Sequence, residues 1–151
     1  MSSKMKIKYA LPFLLLFTMF AFGQQDRRDQ IAAFKSSHIE AALKLTSAEA
    51  QKFWPLYLNC ETKMDDIRLQ KLRPLNNKLD EKGIDALSPK DAQLYLTQIE
   101  AAEEEIHNLK KKLMSDLRTV IGPKKVLKLK AAEDDFNRIL LNIKRRRISS
   151  L

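Results

Sequence analysis

One stretch limits the possible folds more than any other: residues 45–73, LTSAEAQKFWPLYLNCETKMDDIRLQKLR. It opens with a complete helix-start signal. Thr46 can act as N-cap, its hydroxyl accepting an orphan N–H of the first turn. Glu49, three residues on, can reach back to the Thr46 N–H and close a capping box. Leu45 before the cap and Ala50 after it sit where a small hydrophobic staple would close. Apolar residues then recur at Phe53, Tyr57, Cys60, Met64 and Ile67. The spacings of four and three mark one face of a helix that must pack on other helices. Around Lys71 the stripe slips, continuing through Leu72, Leu75 and Leu79, and Pro74 lies in the slip. Pro55 and Pro74 are both expected to bend this helix, since each removes an N–H and crowds the carbonyl four residues earlier. The helix is expected from Ser47 to Glu81, with Gly83 as its left-handed stop.

The rest of the chain reads as partners for that face. A first, shorter helix is expected from about Asp29 to Lys44, with Ile31, Phe34, His38, Ala41 and Leu45 inward and residues 24–29 frayed. A second start signal is Leu87-Ser88-Pro89-Lys90-Asp91, with Ser88 as N-cap, Pro89 at N1 and Asp91 at N3. The third helix carries Tyr95, Ile99, Ala102, Ile106, Leu109, Leu113, Leu117 and Val120 to the break at Gly122-Pro123. A fourth helix, from Lys124 to about Arg147, carries Leu129, Ala132, Phe136, Leu140 and Ile143. The expected fold is all-α with four helices, short, long, long and short. The long pair would form an antiparallel hairpin of kinked helices. Such a thin hairpin buries little surface alone, so a homodimer is expected.

The amino terminus reads as a leader. Lys4, Lys6 and Lys8 precede an apolar run, Leu11 to Phe22, which is short for a membrane span. Ala21-Phe22-Gly23 supplies the small residues of a cleavage site, placing the cut after Gly23. Residues 24–148 then form one helical domain, 149–151 a short tail, and no stable membrane span remains. The protein is expected in the periplasm. The net charge of +9 over 151 residues would otherwise point to nucleic acid. In an exported chain the available partners are anionic lipid headgroups, acidic glycans and unfolded or envelope proteins, so no nucleic-acid partner is expected. The charge is mixed except at Lys144-Arg145-Arg146-Arg147, which reads first as a solvated helix end with cations set against the dipole. A membrane-surface or client-binding role is the alternative.

Catalytic and metal chemistry have little to stand on. With two histidines and one cysteine, a protein-only His/Cys zinc site is not expected. His38 and His107 read as packed or surface side chains. Cys60 reads as a small buried hydrophobe, with a disulfide between two subunits as the alternative. No cofactor loop and no nucleophile–base arrangement is evident, so neither an enzyme nor a cofactor is expected.

The two starts, Leu45-Thr46-Ser47-Ala48-Glu49 and Leu87-Ser88-Pro89-Lys90-Asp91, together with Phe53-Trp54-Pro55-Leu56-Tyr57 and the run Lys130 to Phe136, resemble the Spy/CpxP (LTxxQ) family of periplasmic proteins. The Phe53–Tyr57 and Lys130–Phe136 runs resemble its Bacteroidetes-type branch, described as sensors for extracytoplasmic sigma-factor systems. The departures are Glu49 and Asp91 in place of glutamine and Ser88 in place of threonine. The resemblance implies a cradle-shaped dimer and an ATP-independent chaperone or envelope-stress accessory protein. Clients would lie on a concave basic and apolar surface, with Arg68, Leu69, Lys71, Leu72, Arg73 and Lys78 as the client-binding candidates. A dedicated regulatory binding protein of an envelope-stress pathway and a metal-responsive sensor are the alternative functions.

Overall fold

The computed structural model describes residues 10–149, with side chains from Asp26 onward. Among the described residues there are helices and no strands. Helix α1 spans Ala10–Leu43. Helix α2, Ser47–Ile67, continues through a π-helical turn, Arg68–Leu72, into α3, Arg73–Lys82. A 3₁₀ turn at Ile84–Ala86 leads to α4, Pro89–Ser149. Residues 1–9 of the expected leader and 150–151 of the expected tail lie outside the described residues. No described helix is long and apolar enough to cross a membrane.

The helix count differs from the expected four. Residues 47–82 form one rod, α1 is a second helix, and α4 is a third, kinked at Gly122. Gly122 alone leaves helical geometry, with φ 77° and ψ 160°. A β-carbon there would meet nothing within 4 Å, so the glycine serves its positive φ and not a close approach. Pro123 then begins a new first turn, where its missing N–H costs nothing. Glycine followed by proline thus confines the expected break to one residue. The start of α1 differs too. Residues 24–29, expected to fray, are helical. They contain no proline and consist largely of residues that a helix tolerates.

The chain divides into two compact units, one of residues 1–44 with 129–151 and the other of residues 45–128. In the first unit α1 and the end of α4 are antiparallel. The His38 Nε2 lies 3.3 Å from Asp135 Oδ2, and the Phe34 and Phe136 rings are 5.5 Å apart and tilted. Ile39, Leu43, Leu129, Ala132 and Phe136 are buried. The inward face of α1 is therefore one residue away from the expected stripe. Ile31 and Phe34 are 46% and 47% exposed, while Ile39 and Leu43 are fully covered. His38 rotates to the margin, where its ring touches Phe136 and its nitrogen meets a carboxylate. Glu133 is buried as well.

The second unit is an antiparallel helical hairpin. Its cross-links run Glu49 to Lys125, Cys60 to Leu109 and Lys71 to Glu105, the later member of each pair coming earlier as the first advances. Phe53, Tyr57, Cys60 and Met64 are buried on α2, and Ala102, Leu113, Leu117, Ile121 and Val126 on α4. Phe53 and Tyr57 stack at 5.3 Å, with Trp54 edge-on to both. Each such ring taken fully from water contributes on the order of 2–3 kcal/mol. Pro55 sits on the exposed side of α2 and does not interrupt it. At the tip, Gly83 takes φ 75° and donates its N–H to the Leu79 carbonyl at 2.9 Å. Leu87 is extended, which carries the chain into the α4 cap.

Candidate functional site

The slip in the α2 stripe has a structural counterpart. Ile67 and Leu72 are five residues apart, one more than a helical face allows. The π turn Arg68–Leu72 absorbs the extra residue, with the Arg73 N–H donating to the Arg68 carbonyl five residues back. Ile67, Leu72, Leu75 and Leu79 are all half-buried, so the stripe keeps to one side across the turn. Pro74 follows at the start of α3. The proline has no N–H for the carbonyl four residues earlier, and the widened turn lies where that bond is missing.

Opposite the turn, α4 presents Ala101 and Ala102. These small side chains leave an open groove of about 350 Å³. Pro74, Leu75 and the two alanines form apolar walls, and Gln70 and Gln98 add amides. Lys71 and Glu105 bridge the two rods, with the ammonium donating to both carboxylate oxygens at 2.6 and 2.7 Å. Both side chains are about half exposed, at 50% and 48%. A pair so hydrated contributes roughly 0–1 kcal/mol, so another carboxylate could replace Glu105 at little cost.

The residues singled out from sequence take different places. Lys71 lines the groove. Leu69 is 38% exposed and Leu72 half-buried beside it on the π turn. Arg68 donates to Asp65 at 2.7 Å, one turn back on its own rod. Arg73 and Lys78 are exposed on α3 and do not line the groove. Pro74, first seen only as a bend, is a wall. Gln98, Ala101, Ala102 and Glu105 were not anticipated here. Paired alanines at the depth of Pro74 are the available signal. A further surface pair on α4, Lys112 to Asp116 at 2.6 Å, has i,i+4 spacing.

The two helix starts hold their caps differently. At α2 the Glu49 N–H donates to Thr46 Oγ1 at 3.2 Å, and Glu49 Oε2 accepts from the Thr46 N–H at 2.8 Å. The same oxygen accepts from Lys125 Nζ at 2.5 Å, tying the cap to α4. The Lys125 ammonium first, and the Thr46 N–H second, hold the Glu49 carboxyl below its ordinary pKa. At α4 the Asp91 N–H donates to Ser88 Oγ at 3.1 Å, while that hydroxyl donates to Asp91 Oδ2 at 2.9 Å. The shorter aspartate bonds the hydroxyl of the cap instead of its backbone. Leu45 is half-buried ahead of the first cap, and Leu87 is half-buried ahead of the second.

No family model matches the chain, and no characterised protein or solved structure matches it. The chemistry of the groove is read from its own residues. It offers apolar walls, two amides and an exchangeable ion pair. Cys60 lies outside it, buried, with its thiol 3.6 Å from the Leu109 carbonyl. Among the described residues no group of three or more His, Cys, Asp or Glu side chains could hold a metal ion.

Proposed function

We propose that the chain is an ATP-independent binding protein of the bacterial periplasm, a chaperone or envelope-stress accessory protein that holds unfolded clients on a basic and apolar helical surface. The observation that carries this reading is the groove beside the π turn. Its walls are apolar and shallow, its rim carries a hydrated ion pair, and Leu69 stands exposed next to it. Such a surface suits weak contact with many sequences better than a tight fit to one small molecule. Arg73 and Lys78 would attract acidic clients at long range, an effect that salt screens over about 10 Å at ordinary ionic strength. A client carboxylate would then take the place of Glu105 on Lys71 while client apolar side chains meet Leu69, Pro74 and Leu75. We include a homodimer in the proposal, formed through the hairpin unit, where Leu58, Leu94, Leu96 and Leu127 are half exposed or more.

Light scattering tests the reading. An unrelated, chemically unfolded protein is diluted with and without the purified chain, at low and at high salt. Suppression of aggregation at a near-stoichiometric ratio, fading as salt rises, is expected. No suppression at several-fold excess would overturn the general chaperone and leave a dedicated regulatory partner, sought by pull-down from envelope extract.

A further inference from the structure

The unit built from α1 and the end of α4 carries a surface that the client-binding reading does not use. Ile31 and Phe34 on α1 meet Leu140 and Ile143 on α4 around an open groove of about 330 Å³, with Lys144 and Arg147 at its edge. Ile31, Phe34 and Ile143 are 43–47% exposed, and Leu141 and Ile148 on the other side of α4 are 57% and 65% exposed. We propose that this end of the unit docks on an anionic phospholipid surface.

Charge complementarity selects that occupant. Because α1 and α4 are antiparallel here, Lys144-Arg145-Arg146-Arg147 lie at the same end as Arg27 and Arg28. Only Asp26 and Asp29 offset these six cations. The helix dipole accounts for cations in the last turn, Arg146 and Arg147. It does not account for Lys144 and Arg145, nor for isoleucine and leucine left in water beside them. Consecutive helical residues project about 100° apart, so four in a row encircle the helix and do not line one side. A collar of this kind fits a laterally continuous source of negative charge. Long lysine and arginine stems can lie along the apolar patch while their heads reach phosphates. A second copy of the chain is disfavoured, since a twofold contact would bring the same collar against itself. An acidic protein segment would engage one face and leave the others unmatched.

Vesicle sedimentation of the full chain tests the proposal. Phosphatidylcholine vesicles set the apolar baseline, to which the Leu11–Phe22 run also contributes. An equal mixture with phosphatidylglycerol reports the cations. The chain should partition more strongly to the mixture, and high salt should remove the increment. Replacing Lys144, Arg145, Arg146 and Arg147 by alanine should lower partition to the mixture by about fivefold per cation, with baseline and helicity unchanged. In an Ile148→Trp chain, indole emission should shift to the blue with the mixed vesicles and not with phosphatidylcholine alone. Equal partition to both vesicles, an increment that survives the fourfold substitution, or indole emission unmoved by the mixture would each overturn the proposal. So would binding to polyglutamate with no vesicle increment, which would mark the collar as a site for acidic protein.

Discussion

Glu49 joins two separate demands at one carboxylate. It closes the α2 cap through the Thr46 N–H, and it takes the Lys125 ammonium from α4. Both favour the ionised form, so its pKa is lowered in the folded chain. The sign of the pH effect follows. A carboxyl whose folded pKa lies below its unfolded value stabilises the fold above the unfolded pKa. That contribution is lost as pH falls through the ordinary carboxylate range to the folded value. The urea midpoint of the wild-type chain should therefore exceed that of Glu49→Gln at neutral pH, and the gap should close under acid. Thr46→Ala should cost about 1 kcal/mol, the usual worth of an N-cap hydroxyl. A gap between wild type and Glu49→Gln that stayed constant from neutral to acid pH would rule out the charge as its cause. The cap itself was legible in the order Thr46, Glu49. Lys125 as third member was not, because nothing local in the sequence joins residues so far apart.

The π turn sets the behaviour of the rod of residues 47–82. If it exists because Ile67 and Leu72 are five apart, removing one residue should restore an ordinary helix. Deletion of Gln70, which is exposed, sets the stripe positions four apart and keeps both ends of the rod in phase. The deletion variant should retain its helicity by circular dichroism and keep its urea midpoint or raise it. The groove would narrow with the turn, so suppression of aggregation should fall severalfold. A variant that loses several kcal/mol would mean that packing, and not spacing, requires the wide turn. Here the sequence was informative: the slip near Lys71 and Pro74 stood out, although a bend and not a π turn was expected. The face of α1 was harder to read. Ile31-Phe34-His38 and Ile39-Leu43 both have helical spacing, and spacing alone does not choose between them. Burial went to the shorter one, since Phe136 and Asp135 accept His38 only at the margin. Gly122-Pro123 was seen as a break. How little backbone the break needs depends on a single φ value, which no composition reveals.

At the scale of the molecule, the exposed leucines of the hairpin unit require either water or a partner. Sedimentation at micromolar concentration should give twice the chain's mass. Reductant should leave that mass unchanged, because Cys60 is buried against Leu109 and cannot reach a second copy without opening the hairpin. A non-reducing gel showing a covalent dimer of folded protein would contradict this. The π turn has a further consequence for the life of the whole chain. Wide i to i−5 turns hold their hydrogen bonds less well than α-helix, so the rod of residues 47–82 should open first near Arg68–Leu72. Arg68 and Lys71 stand in that segment, each followed by leucine, and a protease of trypsin specificity can cut after either, whereas Pro74 protects the bond after Arg73. One extra residue in a helix would thus also choose where turnover begins.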